Sequence, residues 1–181
     1  MQTLVSCVMN IALFGLFGSG KSTLAAELAK KFNMQIVSSD LLKEYVADKQ
    51  EGYRQIQAHK DSDKTKYLPE SYFEKAFIYK YGNLKDGLII DNIYTVQRLQ
   101  TILKHLWIDK YILLDVALEN AIQRAHKRGR EDFNEIFLQN RLHAFNENIE
   151  EIKKLLGDKL DIYNANMPVK ELHEQIFKNL Y

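Results

Sequence analysis

Short, almost continuously apolar runs alternate along the chain with longer segments in which apolar residues recur every three to four positions. The runs are Asn10–Phe14, Gln35–Val37, Leu88–Asp91, Tyr111–Val116 and Asp161–Asn164. Their lack of strict polar alternation predicts strands covered on both faces. Between them, Lys21–Phe32 sets Leu24, Ala25, Leu28, Ala29 and Phe32 on one side of a 3.6-residue period, the signature of an amphipathic helix. Glu119–Lys127, Asn134–Leu156 and Val169–Leu180 read the same way, the last beginning directly after Pro168. Strand–helix alternation of this kind predicts βαβ units, and hence an α/β fold with a parallel sheet flanked by helices.

One stretch breaks the rhythm. Leu41–Tyr81 is polar, dense in charge and rich in tyrosine (Tyr45, Tyr53, Tyr67, Tyr72, Tyr79, Tyr81), with no strong strand. It predicts short helices beside the sheet and suits a mobile substrate-binding insertion. With only Pro69 and Pro168, no Gly/Ser-rich linker and no internal repeat, residues 9–181 read as one domain. Residues 1–8 precede the first strand, carry no signal-peptide pattern and are expected to form a frayed leader. No apolar run approaches the roughly 18 residues that cross a bilayer.

Composition narrows the function classes. At 181 residues, 46% hydrophobic and 27% charged, the chain can fill one core and is not globally disordered. Lys and Arg number 25 against 24 Asp and Glu, so the net charge of +1 disfavours a broadly basic nucleic-acid binder. Cys7 is the one cysteine, which excludes an intrachain disulfide or a cysteine-rich zinc site and fits a reducing cytoplasm. His59, His105, His126, His143 and His173 show no metal-ligand spacing, and surface or structural roles are expected for them. Only His126 sits near the arginines described below. Trp107 is expected in the core.

The strongest chemical signal is Gly15-Leu-Phe-Gly18-Ser19-Gly20-Lys21-Ser22-Thr23, which follows an apolar strand and opens a helix. It satisfies the phosphate-binding pattern G-x-x-x-x-G-K-[ST] in the required strand–loop–helix context. Glycines let backbone N–H groups curl around phosphate oxygens, and the helix N-terminus adds unpaired donors. Lys21 can reach the β- and γ-phosphates, and the Ser22 hydroxyl can ligate Mg²⁺. A nucleoside triphosphate is therefore the expected ligand. The metal also needs an acid at a strand end, and Asp91 and Asp115 both qualify. Asp91 is favoured because it terminates Gly87-Leu-Ile-Ile-Asp91.

Arg124, Arg128, Arg130 and Arg141 form the third signal. Arg124 and Arg128 share one helix face, and Arg141 lies about three helical turns beyond Arg130. Planar guanidiniums stabilise the charge that phosphoryl transfer spreads over equatorial oxygens. The bland alternative is a solvated basic face paired with Glu119, Glu131 and Asp132.

From Met9 onward these residues together resemble the adenylate kinase family of nucleoside monophosphate kinases. Gly15–Thr23 resembles its P-loop, and Ser38-Ser-Asp40-Leu-Leu-Lys43 the segment opening its monophosphate-binding helices. Leu68–Lys75 resembles a later helix of that subdomain, and Leu88–Asp91 the strand ending in a metal-associated Asp. Val116–Arg128 and Arg130–Glu135 with Arg141 resemble the donor-facing and lid-closing arginine segments. The resemblance implies a three-layer P-loop NTPase fold, ATP as phosphoryl donor and Mg²⁺ as metal. It implies that Gly15, Gly18, Ser19, Gly20, Lys21, Ser22, Thr23 and Arg124 bind ATP, and that Ser22 and Asp91 hold the metal. Lys21, Arg128, Arg130 and Arg141 would act in transfer, and Asp40, Lys43 and Gln97 would bind the acceptor. The insertion would span 41–81 and a short lid 127–135, too short and too poor in cysteine for zinc. A monomer acting on small-molecule nucleotides is implied, with no nucleic-acid or membrane partner.

The acceptor half departs from the pattern. Where the family has Asp-Gly-Phe-Pro-Arg-Thr, this chain runs Asp91-Asn-Ile-Tyr-Thr95, shorter and without the arginine. Lys43 stands where the family has its other acceptor arginine, and it lacks the bidentate fork. Arg98 or Arg54 is left to supply the missing guanidinium. Three readings stay open: a monophosphate kinase, a P-loop kinase for another acceptor with Asp40 as base, or a non-enzymatic ATP-binding protein.

Overall fold

Strand β1 (Ile11–Gly15) is buried along its whole length and occupies the centre of the sheet. A computed structural model describes residues 9–38, 41, 45, 70–91, 93–127 and 135–180. The expected leader 1–8, most of the insertion and lid residues 128–134 lie outside that set.

Helix α1 (Lys21–Phe32) leads to β2 (Gln35–Val37), and α2 (Glu70–Tyr81) precedes β3 (Leu88–Ile90). Helix α3 (Val96–His105), β4 (Lys110–Asp115), α4 (Leu118–Lys127) and the long α5 (Glu135–Leu156) follow. A 3₁₀ turn, Gly157–Lys159, then β5 (Leu160–Asn164) and α6 (Val169–Asn179) complete the described chain. The sheet order is β2–β3–β1–β4–β5, every pair parallel. Ile11 pairs with Ile89 on one side and Lys110 on the other.

Alternation along β1 builds two cores. Ala12 and Phe14 face Phe73, Phe77, Leu99 and Ile152 from α2, α3 and α5. Ile11 and Leu13 face Leu24, Leu28, Leu172 and Ile176 from α1 and α6. The architecture is a three-layer α/β P-loop fold. Each fully buried Leu or Phe contributes about 1.5–3 kcal/mol to holding the layers together. After β1 the chain moves to β2 on one flank and later to β4 on the other. The crevice beyond the carboxyl end of β1 is thus a topological switch point, where open α/β sheets bind ligands.

Asn10 closes the opposite end of the sheet. Its Nδ2 donates to Lys85 O and Trp107 O, both at 2.8 Å, and its Oδ1 accepts from Leu88 N–H at 3.0 Å. One buried amide therefore fastens three chain segments.

The strand limits and those of α1, α4, α5 and α6 follow the sequence pattern to within about one residue, and α3 is an addition to that pattern, N-capped by Thr95 with Val96, Leu99 and Ile102 buried. Glu70–Tyr81 is a regular helix with Phe73, Ala76, Phe77 and Tyr81 buried, so the last part of the 41–81 segment belongs to the core. The expectation for Trp107 is corrected: it is 76% exposed. Its backbone carbonyl is held by Asn10 in the turn before β4, and that leaves the indole outside. Among the described residues no helix is long and apolar enough to cross a membrane.

Candidate active site

The loop after β1 is shaped by close approaches. A Cβ on Gly15 (φ 145°) would lie 2.7 Å from Leu114 O, so the loop touches β4 backbone there. Gly18 (φ 71°) lies against the backbone of Ala121 on α4, with no room for a side chain. Gly20 occupies the N-cap of α1 without a side-chain cap, leaving first-turn N–H groups for an anion. The buried Lys21 ammonium donates to Gly15 O at 2.6 Å and Leu16 O at 3.0 Å, folding back on its own loop. Ser22 and Thr23 are exposed, and the buried Ser19 Oγ has no hydrogen-bond partner.

Asp91 directly follows β3, the neighbour of β1, so it emerges beside this loop. Its backbone N–H donates to Val37 O at 3.0 Å, continuing the ladder to β2. Burial pushes the Asp91 carboxyl above its usual range, while the Lys21 charge and a hydrogen bond from the Ser22 hydroxyl pull the other way. Its Oδ1 is buried with no partner. A hydroxyl beside a carboxylate with one unused oxygen suits a hard divalent cation, which takes oxygen ligands and keeps most of its waters. The residues present therefore fit Mg²⁺. The alternative acid, Asp115, ends β4 on the other flank of β1 with its side chain exposed.

On α4, Arg124 Nη1 donates to Ala165 O at 2.8 Å and reaches Gly18 O at 3.5 Å. It thereby links the P-loop to the β5–α6 loop. Asparagines set that loop rigidly. Asn166 Oδ1 accepts from Ala117 N–H at 2.8 Å and Asn120 Nδ2 at 2.9 Å. Asn164 Oδ1 accepts from Asn166 N–H at 3.0 Å and Nδ2 at 2.8 Å. The Ala165 N–H donates to Asp115 O at 2.7 Å. Sequence reasoning missed this clasp, whose only written trace is Asn-Ala-Asn after a strand.

On α5, Arg141 places its guanidinium carbon 5.1 Å from the Tyr94 ring centroid. Gln97 is exposed on the first turn of α3, in a groove with Gln100 and, across it, Glu147 and Asn148 of α5. Arg98 is buried, its Nε 2.6 Å from Glu70 Oε1 and its guanidinium 3.7 Å from the Phe73 ring centroid. It is thus engaged at the α2–α3 interface. His126 lines a largely apolar cavity of about 510 Å³ with Phe17, Ile122 and Leu138. His173 is buried against Glu27, and His105 pairs with Glu74 at 2.8 Å. The structure brings Gly15–Thr23, Asp91 and Arg124 to one end of the sheet. Arg128, Arg130, Asp40, Lys43 and Arg54 lie outside the described residues.

A family profile described as an AAA domain matches residues 14–138. An adenylate kinase of Leptospira biflexa is 31% identical over 142 residues, covering 71% of this chain and 75% of the relative. One from Bacteroides fragilis is 24% identical over 160 residues, 81% of this chain and 84% of that one. Among solved structures, deoxyadenosine kinase from M. mycoides with bound dCTP superposes with a TM-score of 0.59 at 23% identity. That superposition covers 95% of this chain and 98% of the other, and it shows a shared fold.

Proposed function

The chain is a nucleotide kinase that belongs to the adenylate kinase family and matches the profile described as an AAA domain, and from that premise we propose that it transfers the γ-phosphoryl group of ATP to a nucleoside monophosphate. The observation that supports this most is the pairing of Asp91 with Ser22 beside Lys21, with one Asp91 oxygen unused.

In this reading the backbone N–H groups of Gly15–Thr23 receive the phosphates, and Lys21 exchanges the carbonyls of Gly15 and Leu16 for phosphate oxygens. Ser22 and Asp91 would hold Mg²⁺, which would supply charge neutralisation to the phosphates. Arg124 borders the donor through Gly18 and Ala165. Arg128, Arg130 and Arg141 would surround the transferred group, and Asp40, Lys43 and Gln97 would orient the acceptor. An acceptor phosphate oxygen attacks the γ-phosphorus as its bond to the β,γ-bridging oxygen breaks, and ADP departs with that electron pair. The acceptor is already anionic, so no general base is needed. Positioning and charge stabilisation carry the rate. Closure of a short lid over 127–135 would keep water from taking the phosphoryl group. The implied setting is a monomer in a cytoplasmic nucleotide pool.

A coupled ADP-release assay with ATP–Mg²⁺ against AMP, CMP, UMP, GMP, dTMP and the deoxy forms tests the proposal. Acceptor-dependent turnover is expected, and Arg130→Ala should reduce it by orders of magnitude while weakening ATP binding only modestly. A second reading, a hydroxyl acceptor with Asp40 as base, draws on two observations. The loop 91–95 lacks an arginine, and Arg98 is held by Glu70. It predicts no stimulation by any monophosphate.

A further inference from the structure

We propose that Tyr94 is the positioning residue for Arg141, its ring holding the guanidinium over the acceptor side of the cleft during phosphoryl transfer. This rests on the kinase reading above for the role of Arg141, and on independent geometry for the role of Tyr94.

The guanidinium carbon of Arg141 lies 5.1 Å from the Tyr94 ring centroid, within the roughly 6 Å range of cation–π attraction. The contact joins two parts of the site that are distant in sequence. Tyr94 belongs to the loop that begins at Asp91 and caps α3. The next residue on α5, Leu142, lines clefts with Phe17 and with Leu16 of the P-loop. The same helical turn therefore borders the donor loop through Leu142 and the acceptor loop through Arg141.

A second contact fixes the register. Asn148 Oδ1 accepts from Val96 N–H at 3.1 Å, two turns further along α5 on the face that carries Arg141. Asn148 is itself steadied by its Nδ2 donating to Ala144 O at 2.8 Å. Phe145, between them, touches both hydrophobic cores. Loop and helix are thus tied at two points, and Tyr94 is the tie that reaches the charge.

Electrostatics give the substitution its sense. A guanidinium in this loop would repel Arg141, whereas the negative face of a phenol ring attracts it. The loop Asp91-Asn-Ile-Tyr-Thr95 carries no cation of its own. Positive charge on the acceptor side is then delivered from α5, at a position set by an aromatic ring.

The test is a double-mutant cycle of Tyr94→Leu and Arg141→Ala, with Tyr94→Phe as the conservative variant. Tyr94→Leu is expected to lower kcat by about 5- to 30-fold with the KM for ATP within about twofold. Tyr94→Phe, which keeps the ring face, should retain most of kcat. Tyr94→Leu should cost nothing more once Arg141 is Ala. Full activity in Tyr94→Leu, losses that simply add, or a Tyr94→Phe as slow as Tyr94→Leu would each overturn the proposal. If the parent protein phosphorylates no monophosphate, the kinase reading fails and the cycle is read on slow ATP hydrolysis, with the same non-additivity expected. Should Tyr94→Leu fail to fold, the Arg141 Nε–H resonance decides. It should show a ring-current shift in the parent and in Tyr94→Phe, and its absence in the parent contradicts the proposal.

Discussion

The carboxylate of Asp91 accepts a hydrogen bond from the Ser22 hydroxyl while its Oδ1 stays buried and unpartnered. One residue comes from the end of β3 and the other from the first turn of α1, so parallel pairing of β3 with β1 is what joins them. Burial raises the Asp91 pKa, which means the folded protein holds this proton more tightly than the unfolded chain. Its contribution to stability is therefore fully present in acid, below the unfolded carboxylate value. It is lost as pH rises through the folded value. Asp91→Asn should melt a few degrees above the parent at neutral pH without nucleotide, the gap closing below about pH 4. The same variant should lose at least ~100-fold in Mg²⁺-dependent transfer. Paired thermal melts across pH check the first half, and a variant less stable than the parent at pH 7 would contradict it.

Gly18 is pressed against the Ala121 backbone in a left-handed conformation, so two faults meet in Gly18→Ala. The added methyl must push α4 away or distort the loop. A loss of about 1–3 kcal/mol is expected, with nucleotide affinity down at least ~10-fold. Denaturant unfolding and ATP titration calorimetry read the two effects separately.

Asn166 holds the β5–α6 loop whose Ala165 carbonyl receives Arg124. Asn166→Ala leaves the Ala117 N–H without its partner and frees the loop. Stability should fall by about 1–2 kcal/mol. The KM for ATP should rise more than kcat falls, because the proposed function puts Arg124 and this loop on the donor side. Steady-state kinetics with ATP varied is the measurement.

At the opposite end of the sheet, Asn10→Ala removes three hydrogen bonds at once and strands the buried Leu88 N–H. It should cost about 2–4 kcal/mol while leaving KM values near those of the parent. Chemical denaturation and initial rates at 25 °C distinguish this from a site effect.

Much of this was legible in the sequence, for identifiable reasons. The central strands β1, β3 and β4 are doubly covered, so their apolar runs stand out. The edge strands β2 and β5 depart from that expectation and leave Gln35 and Ile162 exposed. The P-loop is a contiguous word whose spacing is fixed by phosphate geometry. Helix α2 was harder to read. Its buried face is made of Phe73, Phe77 and Tyr81 set among Lys and Glu, so composition looked like a polar insertion. Trp107 follows a helical stretch, which points to the core, whereas backbone hydrogen bonding at Asn10 decides where that turn sits. The asparagine clasp and the Tyr94–Arg141 contact are long-range pairings of common residues, and no local pattern encodes them.

The central claim is that a phosphate, not a hydroxyl, receives the phosphoryl group. Phosphorus NMR of ATP–Mg²⁺ with the preferred monophosphate and enzyme tests it directly. Equal growth of ADP and nucleoside diphosphate signals, abolished in Lys21→Ala, is the predicted result. Formation of a new phosphate monoester from a nucleoside or another hydroxyl compound, with the monophosphate untouched, would contradict it.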